Sequence, residues 1–168
     1  MATMTTEHAV LNEGMSEGLR MQVSKVIRAS REQVFEAWTK PDVIQRWFGP
    51  ANMESAKATN DLRVGGTYRI EMQSCVERAE NKDMKGVSIA TGVYREIVPN
   101  EKLSFTWNGN WNPGEESLVT VTLKDAEGGA SGTEVTITHE RFLTAASMSG
   151  HEQGWVASLN RLAGFLEK

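Results

Sequence analysis

The sequence predicts an α+β domain in which an antiparallel sheet packs on a long C-terminal helix. One strand pattern and two short helical patterns come first, followed by about six further strand patterns and one long helical pattern. The strand patterns alternate apolar and polar residues, as half-buried strands do. The final helix carries a single apolar stripe. A curved sheet rolled around that helix would bury both this stripe and the apolar face of the sheet.

Residues 19–27, LRMQVSKVI, predict the first strand, with Met21 and Val23 on its buried side. Ser30 followed three residues later by Gln33 is a capping box, which predicts a helix through SREQVFEAW. Pro41 disfavours a helical conformation at the preceding residue but suits the first turn of another helix. A second short helix is therefore expected, and FGP at residues 48–50 ends it.

From there to about residue 141 the chain alternates as strands do, with polar turns between them. The turns include ENKDMKG and DAEGGASG. The strand segments are, in chain order, GGTYRIEMQ, SIATGVYREI, KLSFTW, LVTVTL and TEVTITHERF. Their apolar sets are predicted to face the last helix: Tyr68, Ile70, Met72, Leu103, Phe105, Trp107, Val135, Ile137 and His139.

The closing segment HEQGWVASLNRLAGFLEK predicts an amphipathic helix with an imidazole and an indole on its buried side. Two starts are compatible with the sequence: a capping box formed by Ser149 and Glu152, or a start near Thr144. At about 100° per residue, the stripe falls within roughly 40° of one line. Its members are Met148, His151, Trp155, Leu159, Leu162 and Leu166.

Length and composition predict one cytoplasmic domain. The chain has 168 residues, a formal net charge of −4 and no cluster of basic residues, which argues against nucleic-acid binding. The single cysteine, Cys75, excludes an intrachain disulfide and is expected to be a buried hydrophobe in a reducing compartment. No segment approaches the ~20 apolar residues that span a bilayer. Residues 1–18 are predicted to be a mobile leader, and residues 19–168 the domain.

Motifs for cofactor chemistry are not found in the sequence. There is no nucleophile motif, phosphate-binding loop or dinucleotide fingerprint, so no cofactor and no catalytic residues are predicted. The three histidines, including His8, and one cysteine make a poor set of metal ligands. Enzymatic activity is the less favoured alternative.

Five segments together resemble a known family. They are VSKVIRASREQVFEAWTKPDVIQRWFGP, DLRVGGTYRIEM, TGVYREIVPNEKLSFTW, TEVTITHERF and HEQGWVASLNRLAGFLEK. In this order and spacing they resemble the domain family named after the C-terminal domain of the activator of the heat-shock-protein-90 ATPase, within the START-like (SRPBCC) helix-grip superfamily. The resemblance implies a curved sheet gripping a long C-terminal helix, often with a hydrophobic cavity between them. It also implies a possible role in stress response.

The residues that face one another across sheet and helix predict a ligand pocket with large aromatic rings and few polar groups. Trp47 and Tyr94 are expected to close its mouth. The alternative is that the same side chains simply fill a core, with satisfied imidazoles. The predicted ligand-binding residues are Met72, Tyr94, Phe105, Trp107, His139, His151, Trp155 and Leu159.

Three functional hypotheses follow. The first is binding of a small apolar, aromatic or lipid-like molecule between sheet and helix. The second is a co-chaperone-type interaction module that acts on a chaperone through its surface, and a homodimer is possible. The third is a cyclase- or hydrolase-like enzyme that uses His139.

Overall fold

The computed structural model describes residues 4–11, 19–49, 53–74, 87–127 and 132–167. Cys75 and the turn ENKDMKG lie outside the described residues, so the predictions for them stay untested. The described residues form one antiparallel sheet of eight strands and three helices. After the second helix there are six strands and then the long helix, as predicted.

The strands are β1 (Met4–Leu11), β2 (Leu19–Ile27), β3 (Met53–Asn60), β4 (Thr67–Ser74), β5 (Val87–Val98), β6 (Lys102–Gly109), β7 (Glu116–Asp125) and β8 (Thr133–Phe142). The helices are α1 (Arg31–Thr39), α2 (Pro41–Trp47) and α3 (Ala145–Leu166). The strand order in the sheet is β1-β2-β8-β7-β6-β5-β4-β3. Every neighbouring pair is antiparallel.

Strand β1 lies within the segment that the sequence led us to regard as a leader. It pairs with β2, from Met4 opposite Lys25 to Leu11 opposite Leu19. Its sequence, MTTEHAVL, has four polar and four apolar residues that do not alternate regularly, so no strand pattern is recognised there. The division into residues 1–18 and 19–168 stays a prediction.

Local side chains fix the helix ends. The Ser30 hydroxyl accepts from the Gln33 amide at 3.1 Å, and the Gln33 side chain accepts from the Ser30 amide at 3.0 Å, which confirms the capping box. Pro41 is the first residue of α2. Of the two predicted starts for α3, the structure has the one at Thr144, whose side chain accepts from the Ser147 amide at 3.0 Å.

The apolar faces meet as the alternation predicted. All nine sheet residues expected to face the last helix are buried, and the α3 stripe buries Trp155, Leu159 and Leu162 completely or nearly so. Helix α3 packs on β2 and β8 and against α1 and α2. The sheet and the three helices therefore enclose one core. Within the described part of the chain, no helix combines the length and hydropathy needed to cross a membrane.

Candidate functional site

Two histidines, His139 on β8 and His151 in the N-terminal half of α3, each accept a hydrogen bond from a tryptophan indole. Trp155 Nε1 donates to His139 Nδ1 at 2.9 Å, between α3 and β8. Trp107 Nε1, on β6, donates to His151 Nε2 on α3 at 3.2 Å. The two imidazole centroids are 4.9 Å apart. We call these four residues the His–Trp cluster.

The cluster fixes the proton position on each ring, because an indole nitrogen can only donate. His139 therefore carries its proton on Nε2 and donates it to Ser117 Oγ at 2.6 Å, and that hydroxyl donates to the Trp107 carbonyl at 3.2 Å. His151 carries its proton on Nδ1 and donates it to the Ser147 carbonyl at 2.7 Å. Neither ring keeps a free nitrogen for acid–base chemistry.

Burial favours the neutral form of both histidines. It lowers the pKa of His139 well below its ordinary value, and the neighbouring His151 lowers it further. The pKa of His151 is lowered by burial, against the opposing effects of its bond to the Ser147 carbonyl and of the Glu115 charge. Protonation of either ring would turn an acceptor nitrogen into a donor that faces an indole N–H.

Glu115 joins the β6–β7 connection to the start of α3, and no sequence pattern identifies it. Its buried carboxylate accepts from the Leu143 amide at 2.8 Å and from Ser147 Oγ at 2.6 Å. Asn112 Nδ2 donates to the same hydroxyl at 3.1 Å. A glutamate in a loop normally predicts exposure, so only the three-dimensional contact identifies this anchor.

A narrow cavity lies elsewhere in the sheet–helix space, beneath α1 and α2. Its volume is about 20 Å³, which is room for about one water molecule. We call it the Trp38–Tyr94 cavity. Its lining residues are Trp38, Ile44, Phe48, Thr59, Asn60, Tyr68, Ile70, Tyr94, Leu103 and Phe105.

The predicted ligand-binding residues divide between two regions. Tyr94 and Phe105 line the Trp38–Tyr94 cavity. The other six are buried or half-buried in the interior without lining it: Met72, Trp107, His139, His151, Trp155 and Leu159. The expected role of Trp47 at the mouth is not observed, because its ring is buried and its Nε1 donates to the Ala37 carbonyl at 2.8 Å.

Residues that line the cavity carry polar groups with incomplete hydrogen bonding. Trp38 Nε1 is the one fully buried side-chain nitrogen or oxygen without a hydrogen-bond partner within the described ranges. Tyr94 Oη accepts from Asn60 Nδ2 at 3.0 Å, while Tyr68 Oη donates to the Thr106 carbonyl. Burial raises the pKa of both tyrosines, so both hydroxyls stay protonated.

Sequence reasoning did not select Trp38 as a site residue. Its place in the apolar spacing of α1 predicts a core residue, and an indole N–H without a partner leaves no trace in sequence. The ring does pack as core does, with centroids 4.9 Å from Trp47 and 6.0 Å from both Phe48 and Trp155.

Two larger depressions on the surface are open and polar. One, of about 810 Å³, lies at the start of α1, where Arg31 is already paired with Asp125 at 3.1 Å. The other, of about 610 Å³, lies over the outer side of β3 to β6 and includes Arg69. Arg69 is paired with Glu71 at 3.0 Å. Neither depression contains the unpaired buried group that distinguishes the Trp38–Tyr94 cavity, and the described residues hold no cluster of three or more potential metal ligands.

Comparison with solved structures shows the same fold in bacterial proteins. Protein CV1439 from Chromobacterium violaceum is 24% identical, with 89% of this chain and 98% of that chain covered and a TM-score of 0.70. The AHSA1 protein from Silicibacter pomeroyi is 20% identical, with coverages of 88% and 97% and a TM-score of 0.69. CalU16 from Micromonospora echinospora is 19% identical, with coverages of 98% and 86% and a TM-score of 0.67.

A search of curated proteins found no significant match. The family model described as "Activator of Hsp90 ATPase homolog 1-like protein" matches residues 28–167, which is most of the chain. This range runs from the end of β2 through α3 and therefore includes the cavity and the His–Trp cluster. With its helix-grip, START-like architecture, the chain belongs to this family of activator of Hsp90 ATPase homologue 1-like proteins.

Proposed function

We propose that the protein binds a small apolar or aromatic molecule between the sheet and the helices, at the Trp38–Tyr94 cavity. The observation that carries the proposal is the lining, which combines five aromatic rings with a few polar atoms, as ligand sites do. The rings are those of Trp38, Phe48, Tyr68, Tyr94 and Phe105. The fold supports the proposal, because START-like domains commonly bind ligands in this space.

The cavity must enlarge to accept a guest. Ligand pockets are typically about 300–1,000 Å³, whereas this cavity is about 20 Å³. Phe48 is the side chain best placed to move, because it follows the last turn of α2 and precedes Gly49, whose φ is 122°. Exposing a buried phenylalanine costs about 1.5–3 kcal/mol, which weakens apparent affinity by roughly 10- to 150-fold.

Movement of Phe48 would join the cavity to the predicted aromatic site. The centroid of its ring is 6.2 Å from Trp107 and 5.9 Å from Trp155. A guest that replaced the Phe48 ring would therefore contact both indoles. In this open state we place His139 and His151 behind the two indoles, on the side away from the guest. We propose that Met72 and Leu159 are apolar residues of the pocket wall.

The test is a titration with naphthalene, followed by isothermal calorimetry and by the five tryptophan indole N–H signals in 1H–15N spectra. We expect saturable shifts at Trp38 and about 10- to 100-fold tighter binding by Phe48→Ala, which removes the need to displace the ring. Phe165→Ala is the matched control, because this partly buried ring does not line the cavity. No saturable shift in the wild type or in Phe48→Ala would refute the proposal.

The family match favours a second candidate, an interaction module that acts on a chaperone ATPase. This activity would depend on the surface of the protein and not on the cavity. Stimulation of an Hsp90-type ATPase that is equal for the wild type and Phe48→Ala would support it. We also propose a homodimer and a cytoplasmic location. Sedimentation measures the oligomeric state, and cell fractionation measures the location.

The third hypothesis, an enzyme that uses His139, has less support from the geometry. His139 is fully buried, and both of its ring nitrogens are engaged, with Trp155 and with Ser117. A general acid or base needs a nitrogen within reach of the substrate. Catalysis by this residue would require the His–Trp cluster to separate first.

A further inference from the structure

We infer that the guest is electrically neutral and carries a carbonyl oxygen that accepts hydrogen bonds from the Trp38 indole N–H and the Tyr94 hydroxyl. The inference rests on the proposed function, because it names the chemical class of molecule that the Trp38–Tyr94 cavity takes. It is independent of which apolar framework carries the carbonyl group.

The first support is the contrast between Trp38 and the other buried indoles. Trp47, Trp107 and Trp155 each donate to an acceptor, at 2.8, 3.2 and 2.9 Å. Trp38 is 4% exposed and lines the cavity, yet its Nε1 has no acceptor among the residues that the structure describes. Leaving a buried donor unpaired costs free energy, so such groups are rare and call for a missing acceptor.

The second support is the direction of the hydrogen bonds at Tyr94. Asn60 uses its side-chain nitrogen twice, donating to the Thr39 carbonyl at 2.7 Å and to Tyr94 Oη at 3.0 Å. The Tyr94 oxygen is therefore an acceptor toward Asn60, and its own hydrogen has no partner among the described side chains and backbone. A phenol with a raised pKa keeps that hydrogen at neutral pH. Two residues that line the cavity, Trp38 and Tyr94, thus each carry a donor without an acceptor among the described residues.

The third support is the absence of charge. None of the ten lining residues is Asp, Glu, Lys, Arg or His. A carboxylate or phosphate would match the two donors but would lose its hydration without a counter-charge, which is costly in a buried site. A carbonyl oxygen has two lone pairs, fits both donors and is neutral. When no guest is bound, the cavity has room for about one water molecule.

The test compares acetophenone with ethylbenzene, which have nearly the same shape but differ in the carbonyl oxygen. A purely apolar cavity would bind ethylbenzene more tightly, because it is the more poorly hydrated molecule. We expect the opposite order in calorimetry, with acetophenone at least about fivefold tighter, since each hydrogen bond contributes roughly two- to tenfold. Acetophenone, and not ethylbenzene, should move the Trp38 indole N–H signal downfield.

Variants assign the preference to the two donors. Trp38→Phe and Tyr94→Phe should each reduce the ratio of the two affinities by about two- to tenfold, a ratio in which changes of packing largely cancel. Trp111→Phe is the matched control, since this residue does not line the cavity, and it should keep the wild-type ratio. If Trp38→Phe does not fold, Tyr94→Phe provides the same comparison.

The possible failures are distinguishable. Equal or tighter binding of ethylbenzene by the wild type would overturn the inference and leave the proposed function standing. A preference that survives both donor variants would overturn it in the same way. Binding of neither compound by the wild type and by Phe48→Ala would overturn the proposed function itself, and would leave the cavity as a site for water.

Discussion

Acidification should destabilise this protein through the His–Trp cluster. His139 and His151 are neutral in the folded state because burial lowers the pKa of each below the unfolded value of about 6.5. At pH values between the folded and the unfolded pKa of each histidine, the unfolded chain binds more protons than the folded one. The free energy of unfolding therefore decreases as pH decreases. The stabilising contribution is fully present above about pH 6.5 and is lost as pH falls toward the folded pKa values.

The size of the effect follows from linkage. At pH 5.5 a histidine that stayed neutral in the folded state would lower the free energy of unfolding by roughly 1 kcal/mol relative to high pH. Two such residues would give at most about 3 kcal/mol, a large part of the ~5–15 kcal/mol that stabilises an ordinary domain. The bond to the Ser147 carbonyl and the Glu115 charge both raise the pKa of His151 against the effect of burial, so the contribution of His151 is the smaller one.

Urea unfolding at pH 7.5 and pH 5.5, followed by far-UV circular dichroism, measures the loss. His151→Gln is the informative variant, because the glutamine side chain can still accept from Trp107 Nε1 but does not titrate. We expect the wild type to lose about 1–3 kcal/mol and the variant to lose about 1 kcal/mol or less. A wild-type loss below about 0.5 kcal/mol would show that the cluster is not held neutral.

Three other predictions concern stability, each measured by urea unfolding at pH 7.5. Gly92→Ala should destabilise by about 1–3 kcal/mol, because the added Cβ would lie 1.9 Å from the Thr106 carbonyl oxygen; wild-type stability would contradict this. Gly150→Ala and Gly154→Ala should each raise the free energy of unfolding by about 0.8–1 kcal/mol, because alanine favours the helix and nothing lies within 4 Å of the new Cβ in α3. A lower free energy of unfolding would contradict this and show that the position needs glycine. Trp47→Phe should lower the free energy of unfolding by more than about 1 kcal/mol, because the buried Ala37 carbonyl loses the hydrogen bond that Trp47 Nε1 donates to it.

The helix ends and the inward faces of the strands were predictable from sequence because they depend on local chemistry. The Ser30 capping box and the proline at the start of α2 act over a few residues, so short patterns reveal them. Alternation placed His139 beside Ile137 on the buried face of β8, and the helical stripe placed Trp155 on the buried side of α3. Both facings are confirmed.

The position of the cavity was not predictable from sequence, because it depends on which of many inward rings pair with one another. Nothing in the sequence shows that the Trp155 indole reaches His139, or that Trp38 Nε1 reaches no acceptor in the part of the chain that the structure describes. The same limit applies to Glu115, which is buried only because the start of α3 supplies two donors to its carboxylate. Strand β1 was missed because its polar and apolar residues do not alternate regularly.

The hydrogen bonds of the indoles decide where in this interior a guest fits best. At the His–Trp cluster every ring nitrogen has a partner, so a guest there would have to break two indole–imidazole bonds and leave buried donors unpaired. At Trp38 the donor is already unpaired, so an acceptor that arrives there adds a hydrogen bond and breaks none within the described residues. Displacing a ring would cost packing at either place, but only at Trp38 would a new hydrogen bond compensate. This difference supports the Trp38–Tyr94 cavity as the proposed binding site.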